Sequence, residues 1–313
     1  RCLASLAPAA DQLVVTSVPH SPNFAPRTSN PEPRTPNLEP RTSTIEHLVV
    51  DNASTDGSAA MVRARFPWVR LMENQENVGF AAANNQAIRA SRGRHVVLLN
   101  SDTEVQPGAM GALGDFMEAH PQAGAAGARL LNADGSLQHS CHPMPTPGRE
   151  FWRLLFLEPV WPRATYPMAR WDLTEPRRVE AIKGACLLLR REALDQVGLL
   201  DEGYFMYSEE VDLCYRLSRE GWELWWVPGA VVTHFEGQST RQAAERMFVQ
   251  LYRSKVRFFR KFGGERQADR FKRYLRLAYW PRLAVAALGA PISESLAAQA
   301  RIYRRLLKEL PAM

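Results

Sequence analysis

Short apolar runs recur through the middle of this chain, each closed by polar residues and followed by a stretch with helical spacing. Ile45–Val50, Val69–Met72, Val96–Leu99, Ala123–Leu131, Ala181–Leu189, Leu224–Val227 and Ala230–Thr233 read as strands. Between them, Ser58–Phe66 (stopped by Pro67), Gly79–Ala90, a segment from Pro107 to about Ala119, Arg191–Val197 and Glu209–Glu220 read as helices. Strands alternating with helices predict an α/β fold with a mostly parallel sheet flanked by helices. Residues 142–178, rich in Pro, Trp and Arg, predict a long loop region with short helices. Arg241–Phe262 predicts a long amphipathic helix, with Met247, Phe248, Leu251, Tyr252, Val256 and Phe259 as its apolar stripe.

Composition changes the picture at the two ends. Residues 16–44 carry seven of the 22 prolines, repeat Pro-Arg-Thr at 26–28, 33–35 and 40–42, and hold almost nothing apolar. They predict a disordered insertion. The net charge of +6 is unevenly spread: residues 246–313 hold 16 Lys/Arg against 4 Asp/Glu. The expected organisation is therefore a domain over 45–264 and a basic helical tail over 265–313, suited to an anionic membrane surface. No base-stacking motif accompanies the charge, so nucleic acid is not expected as a partner. The 4 cysteines lie far apart, without metal or redox spacing. They read as core-filling residues of a protein in a reducing, cytoplasmic compartment. No apolar stretch reaches the length of a membrane span and no signal peptide is visible.

Candidate chemistry collects where strands end, which is where open α/β sheets bind ligands. Asp51 and Asn52 follow the strand Ile45–Val50, where amide and carboxylate groups can hydrogen-bond a nucleotide or simply build a turn. Asn77, Gly79 and Asn84 form a second station: glycine admits close approach of a ligand, though the same pattern starts helices. Asn100, Ser101 and Asp102 form a third, where one carboxylate can hold Mg2+ or Mn2+ against a substrate phosphate. Glu209, Glu210 and Asp212 crowd carboxylates at a helix start, which favours a general base but also plain capping. His234, closing an apolar run, is a structural imidazole or a metal ligand beside Asp102.

Taken in order, Val50-Asp51-Asn52-Ala53-Ser54-Thr55-Asp56-Gly57-Ser58, Asn77-Val78-Gly79-Phe80 with Asn84, and Asn100-Ser101-Asp102 resemble family 2 glycosyltransferases of the GT-A fold. Gly184-Ala185, Gly198–Tyr207, Glu209–Arg216 and Thr233-His234 are similar to the rhamnosyltransferase-like branch. The resemblance covers about 45–265. It implies inverting transfer of a sugar from a nucleoside-diphosphate donor to a surface polysaccharide or lipid-linked glycan, by an enzyme in the cytoplasm or at the inner face of the plasma membrane. It assigns the nucleotide to Asp51, Asn52, Asn77, Gly79, Asn84, Asn100 and Ser101. Asp102 would be the last acid of the metal motif, with His234 completing the site. Glu210 would be the base, Glu209 would orient it or the acceptor, and Asp212 is the neighbouring alternative. One departure stands out. The family's opening strand is missing, and residues 1–15 resemble the end of the helix that follows it. The expectation is an empty sheet position, with a truncated, non-catalytic remnant as the alternative to an active enzyme.

Overall fold

The structure, a computed structural model, describes residues 45–235 and 244–313 together with the backbone of 12–18. The first elements are β1 (Gln12–Val18), β2 (Glu46–Asp51), α1 (Ser58–Arg65), β3 (Arg70–Glu73), α2 (Phe80–Ala90) and β4 (His95–Asn100). Then come β5 (Thr103–Val105), α3 (Ala109–Ala119), β6 (Ala123–Leu131), β7 (Leu137–Gln138), β8 (Cys141–His142) and α4 (Pro147–Leu154). The second half holds β9 (Arg177–Arg178), β10 (Ala181–Ile182), β11 (Cys186–Arg190), α5 (Arg191–Val197), α6 (Glu209–Arg219) and β12 (Glu223–His234). Two long helices close the chain, α7 (Ala244–Gly289) and α8 (Glu294–Glu309).

The main sheet runs β3-β2-β1-β4-β11-β6-β12-β5. Following the pairings, β2, β3, β4, β6 and β12 share one direction, while β1 and β11 are interposed antiparallel. The sheet is thus mixed, with one dominant direction. The expected vacancy beside β4 is filled. Gln12–Val18 lies between β2 and β4 and pairs antiparallel with both, Leu13 opposite Val50 and Asn100. Gln12–Val18 is strand, where the sequence reading has the end of a helix remnant (12–15) and the start of a disordered insertion (16–18). Residues 1–11 and 19–44, with the Pro-Arg-Thr repeats, lie outside the described residues. A central strand position left open would strand ladder donors and acceptors on both neighbours, so its occupation matters.

β4 shows why the sheet is a buried layer. Val96 and Leu98 point into the cluster that includes Ala87, Ile88, Leu194 and Leu213, while Val97 and Leu99 point into the opposite cluster with Leu113, Phe116 and Met117. Alternate residues of a strand face opposite sides, so a run apolar at every position needs helices on both faces. Two predicted boundaries move. Ala181–Leu189 is broken at Lys183-Gly184-Ala185 into β10 and β11, and the two short strands at 224–233 are one strand with a register shift between Val227 and Val231.

The amphipathic helix predicted at 241–262 continues to Gly289 through a break at Gly264, whose φ of 70 is non-helical. Residues 241–243 lie outside the described residues. α7 and α8 form a hairpin with its own core, in which Tyr252, Phe259, Phe271, Leu275, Tyr279 and Leu306 are buried. Ion pairs tie it to the body: Lys255 to Glu150 at 2.5 Å, Arg257 to Asp201 at 3.0 Å and Lys261 to Asp212 at 2.6 Å.

Candidate active site

The ends of β2, β4 and β12, the break before β11 and the starts of α2 and α6 meet at one edge of the sheet. Asn100 N donates to Ala185 O at 3.0 Å, and Phe235 N donates to Asp102 O at 2.8 Å. Phe80 N donates to Phe205 O at 2.7 Å, which ties the start of α2 to the loop before α6. Gly184 lies against the Glu210 Cβ and the Phe80 ring.

Asp102 and His234 are together: Asp102 Oδ1 is 3.2 Å from His234 Nε2. The other ring nitrogen, Nδ1, is 2.8 Å from Gln138 Oε1. The Gln138 amide nitrogen donates to His234 O at 3.2 Å and to Asn132 Oδ1 at 2.9 Å, so Oε1 must be the acceptor of the Nδ1 proton. In the neutral ring this leaves Nε2 as a lone pair aimed at a carboxylate. Two acceptors in contact repel unless a proton or a cation lies between them. Asn100 Nδ2, 3.4 Å from Nε2, only partly meets that need. A carboxylate plus an imidazole suits Mn2+, and Mg2+ through the carboxylate. Among the described residues no group of three or more His, Cys, Asp and Glu forms a protein-only cage. An ion held here by two side chains would share its remaining positions with water and substrate oxygens.

Glu209 is buried at the start of α6 and Glu210 is partly exposed beside it. Oε2 of each has no hydrogen-bond partner. Burial raises the Glu209 pKa well above the ordinary carboxylate value, and the Glu210 charge raises it further. Burial raises Glu210 as well, against the opposing pull of backbone hydrogen bonds and the Lys183 charge. The turn delivering them is strained: Tyr207 and Ser208 both hold φ of 69, a left-handed conformation costly for residues with a Cβ. Asp212 faces away. It is fully buried and bonded to Arg216 Nε at 2.6 Å, Lys261 Nζ at 2.6 Å and the Tyr204 hydroxyl at 3.2 Å. Its carboxylate holds α6 to α7, which removes it from the base candidates.

The nucleotide stations divide. Asp51 is buried at the end of β2; Oδ2 accepts from Ser54 N at 3.1 Å and Oδ1 has no partner. Asn52 is a hub, accepting from Asn74 Nδ2 and Val78 N at 3.1 Å and donating to Asn77 Oδ1 at 2.9 Å. Its amide is spent on shaping residues 74–79. Asn77 is exposed, and its Oδ1 also accepts from Gly79 N at 2.9 Å. Gly79 has φ of +86, and a Cβ there would lie 2.6 Å from Phe205 O. Asn84 is buried and donates Nδ2 to Phe80 O at 3.0 Å, and its Oδ1 has no partner. Ser101 is partly exposed between Asn100 and Asp102.

Gln138 and Lys183 are not among the residues the sequence reading selects. Asp134-Gly135 is the signal for the first: it turns β6 into β7 and sets Gln138 opposite Leu130. A groove lined by Tyr166, Trp171 and Arg177 lies beside the start of β12, far along the strand from His234, and none of the candidate residues lines it.

The sequence model described as Glycosyl transferase family 2 matches residues 38–198, just over half the chain. The chain belongs to glycosyltransferase family 2. The transferase is 39% identical over 208 residues to the N-acetylglucosaminyl-diphospho-decaprenol L-rhamnosyltransferase of Mycobacterium tuberculosis, covering 62% of this chain and 67% of that one. It is 28% identical over 179 residues to the low-salt glycan biosynthesis hexosyltransferase Agl10 of Haloferax volcanii, covering 56% and 54% of the two chains. Among solved structures, the mannosyltransferase PcManGT from Pyrobaculum calidifontis, in complex with GDP-Man and Mn2+, aligns with a TM-score of 0.46 at 17% identity, covering 83% and 75%. The transferase has the mixed α/β sheet flanked by helices expected of the GT-A fold.

Proposed function

We propose that this transferase moves a sugar, with inversion, from a nucleoside-diphosphate donor to a hydroxyl of a lipid-linked glycan at the inner face of a membrane. The observation that carries the reading is the Asp102–His234 pair, a carboxylate oxygen and an imidazole nitrogen 3.2 Å apart at the sheet edge that also presents Glu210. The rhamnosyltransferase that is 39% identical has a lipid diphosphate sugar as its named acceptor, which supports the acceptor class.

Asp51 and the loop shaped by Asn52, Asn77 and Gly79 hold the nucleoside. Asp102 and His234 would hold Mg2+ or Mn2+, which when bound offsets negative charge on a departing diphosphate. Glu210 removes the proton of the acceptor hydroxyl, and that oxygen attacks the anomeric carbon opposite the leaving group. The raised pKa of Glu210 brings its proton affinity toward that of a base working near neutral pH. Glu209, buried behind it with a free oxygen, orients the acceptor or the base.

Isothermal titration with nucleoside diphosphate and Mn2+, paired with a transfer assay, tests the assignment. Asp102→Ala should lose Mn2+-dependent binding, and Glu210→Gln should lose transfer while keeping it. Turnover retained in Glu210→Gln refutes the base. Absence of nucleotide binding at millimolar concentration in the unaltered chain favours the non-catalytic remnant.

A further inference from the structure

The second half of α7 is apolar on two opposite faces. Phe271, Leu275, Ala278, Tyr279 and Ala286 face inward, and Tyr279 packs on Tyr303 of α8 with ring centroids 5.1 Å apart. Leu277, Trp280, Pro281, Ala284 and Leu288 are all exposed, and their spacing of three, four, seven and eleven from Leu277 sets them on a single stripe. Leu288 is 84% exposed, and Ile292, just beyond the helix, is 88% exposed. A soluble helix ordinarily carries polar residues on its outer face, so this stripe calls for a covering.

The charges beside the stripe say what covers it. From residue 270 to 293 the chain has no Asp or Glu, while Arg270, Lys272, Arg273, Arg276 and Arg282 fall in the same stretch. Arg270, Arg273 and Arg276 are exposed on the turns leading into the stripe. A second copy of this face would bring two cation clusters together with only Asp269 and Glu294, at its two ends, to offset them. An anionic lipid surface supplies both the opposite charge and the apolar layer, and Trp280 at the junction suits the headgroup boundary. The stripe from 277 to 288 is about 16 Å long, too short for a bilayer core of about 30 Å. No helix among the described residues is long and apolar enough to cross a membrane.

We propose that the outer face of α7 from Leu277 to Leu288, with Ile292, lies in the interface of an anionic membrane, with Arg270, Arg273 and Arg276 on its phosphates. The proposal refines the membrane placement given above: the inserting element is this stripe, and the basic residues orient it. The sugar-transfer chemistry is independent of it.

Flotation with phosphatidylcholine vesicles, with and without phosphatidylglycerol, tests it. The unaltered chain should float with anionic vesicles and be released by salt. Leu288→Asp/Ile292→Asp should weaken binding by about 100-fold or more, as withdrawing two large apolar side chains from lipid requires. Arg273→Gln/Arg276→Gln should lose the preference for phosphatidylglycerol. Circular dichroism and nucleotide titration report that each variant is folded. No flotation, or flotation indifferent to the aspartates, overturns the proposal. So does a dimer in sedimentation that the aspartates convert to monomer, because the stripe is then covered by a second copy. Nucleotide binding without flotation sinks this surface alone, and flotation without nucleotide binding sinks the transfer reading alone.

Discussion

Replacing Gln138 by leucine removes three hydrogen bonds at once: the one from His234 Nδ1 at 2.8 Å, and those to His234 O at 3.2 Å and Asn132 Oδ1 at 2.9 Å. The side chain is 5% exposed, so water cannot readily replace it. At about 1 kcal/mol for each bond, the cost to folding is about 3 kcal/mol. The functional cost is separate. Without an acceptor on Nδ1 the ring is free to change tautomer and to rotate, and Nε2 no longer faces Asp102 with a fixed lone pair. Loss of such an orienting partner typically weakens metal binding by about 10–100-fold, or about 1.4–2.8 kcal/mol. Gln138→Glu keeps an acceptor for Nδ1 but turns a second carboxylate oxygen toward His234 O and Asn132 Oδ1, so it should cost stability while its Mn2+ affinity stays within a few-fold of the unaltered chain. The assay is calorimetric titration of Mn2+ in the presence of a nucleoside diphosphate, at a temperature where both variants are folded. A folded leucine variant that binds Mn2+ normally would refute the argument. So would a glutamate variant as impaired as the leucine one.

Glu209 and Glu210 make stability and activity pH-dependent in opposite senses. Burial raises both carboxyl pKa values, so the folded chain retains protons that the unfolded chain has released above about pH 4.3. Stability therefore falls as pH rises from that value to the folded pKa and is level beyond it, whereas transfer with Glu210 as the proposed base should rise with pH as Glu210 ionises. Glu209→Gln should raise the Tm at neutral pH and leave it unchanged in acid; superimposable Tm–pH curves would count against the buried charge. Asp212→Ala leaves Arg216 and Lys261 without their buried partner and should cost about 3–5 kcal/mol, measured by denaturant unfolding; a loss of transfer with no loss of stability would return Asp212 to the base candidates. Gly79→Ala forces a Cβ to 2.6 Å from Phe205 O at a φ of +86, which should cost about 1–3 kcal/mol and weaken nucleotide binding; an unchanged unfolding curve would show that the loop yields freely.

Local chemistry made much of this protein legible. Val96–Leu99 is apolar at every position, which already requires cover on both faces, and Asp102 and His234 each close such a run. The capping and turn residues around Gly57, Gly79 and Pro67 mark where the helices begin and end to within a residue or two. The basic bias after residue 246 is likewise visible in composition alone.

Tertiary structure decided which of those polar residues face outward. Asn52 and Asp212 have the composition of ligand groups, yet one is consumed by the loop at 74–79 and the other by Arg216 and Lys261. Gln138 looks like any hairpin residue until β7 folds back on β6 and meets His234. The sheet slot beside β4 is filled by Gln12–Val18, because an unpaired row of backbone groups between two buried strands is costlier than a reversed strand. Hydrophobic spacing reports which face of an element is buried. The partner across that face, and hence the use of each polar group, depends on residues distant in the chain, which only the folded arrangement brings together.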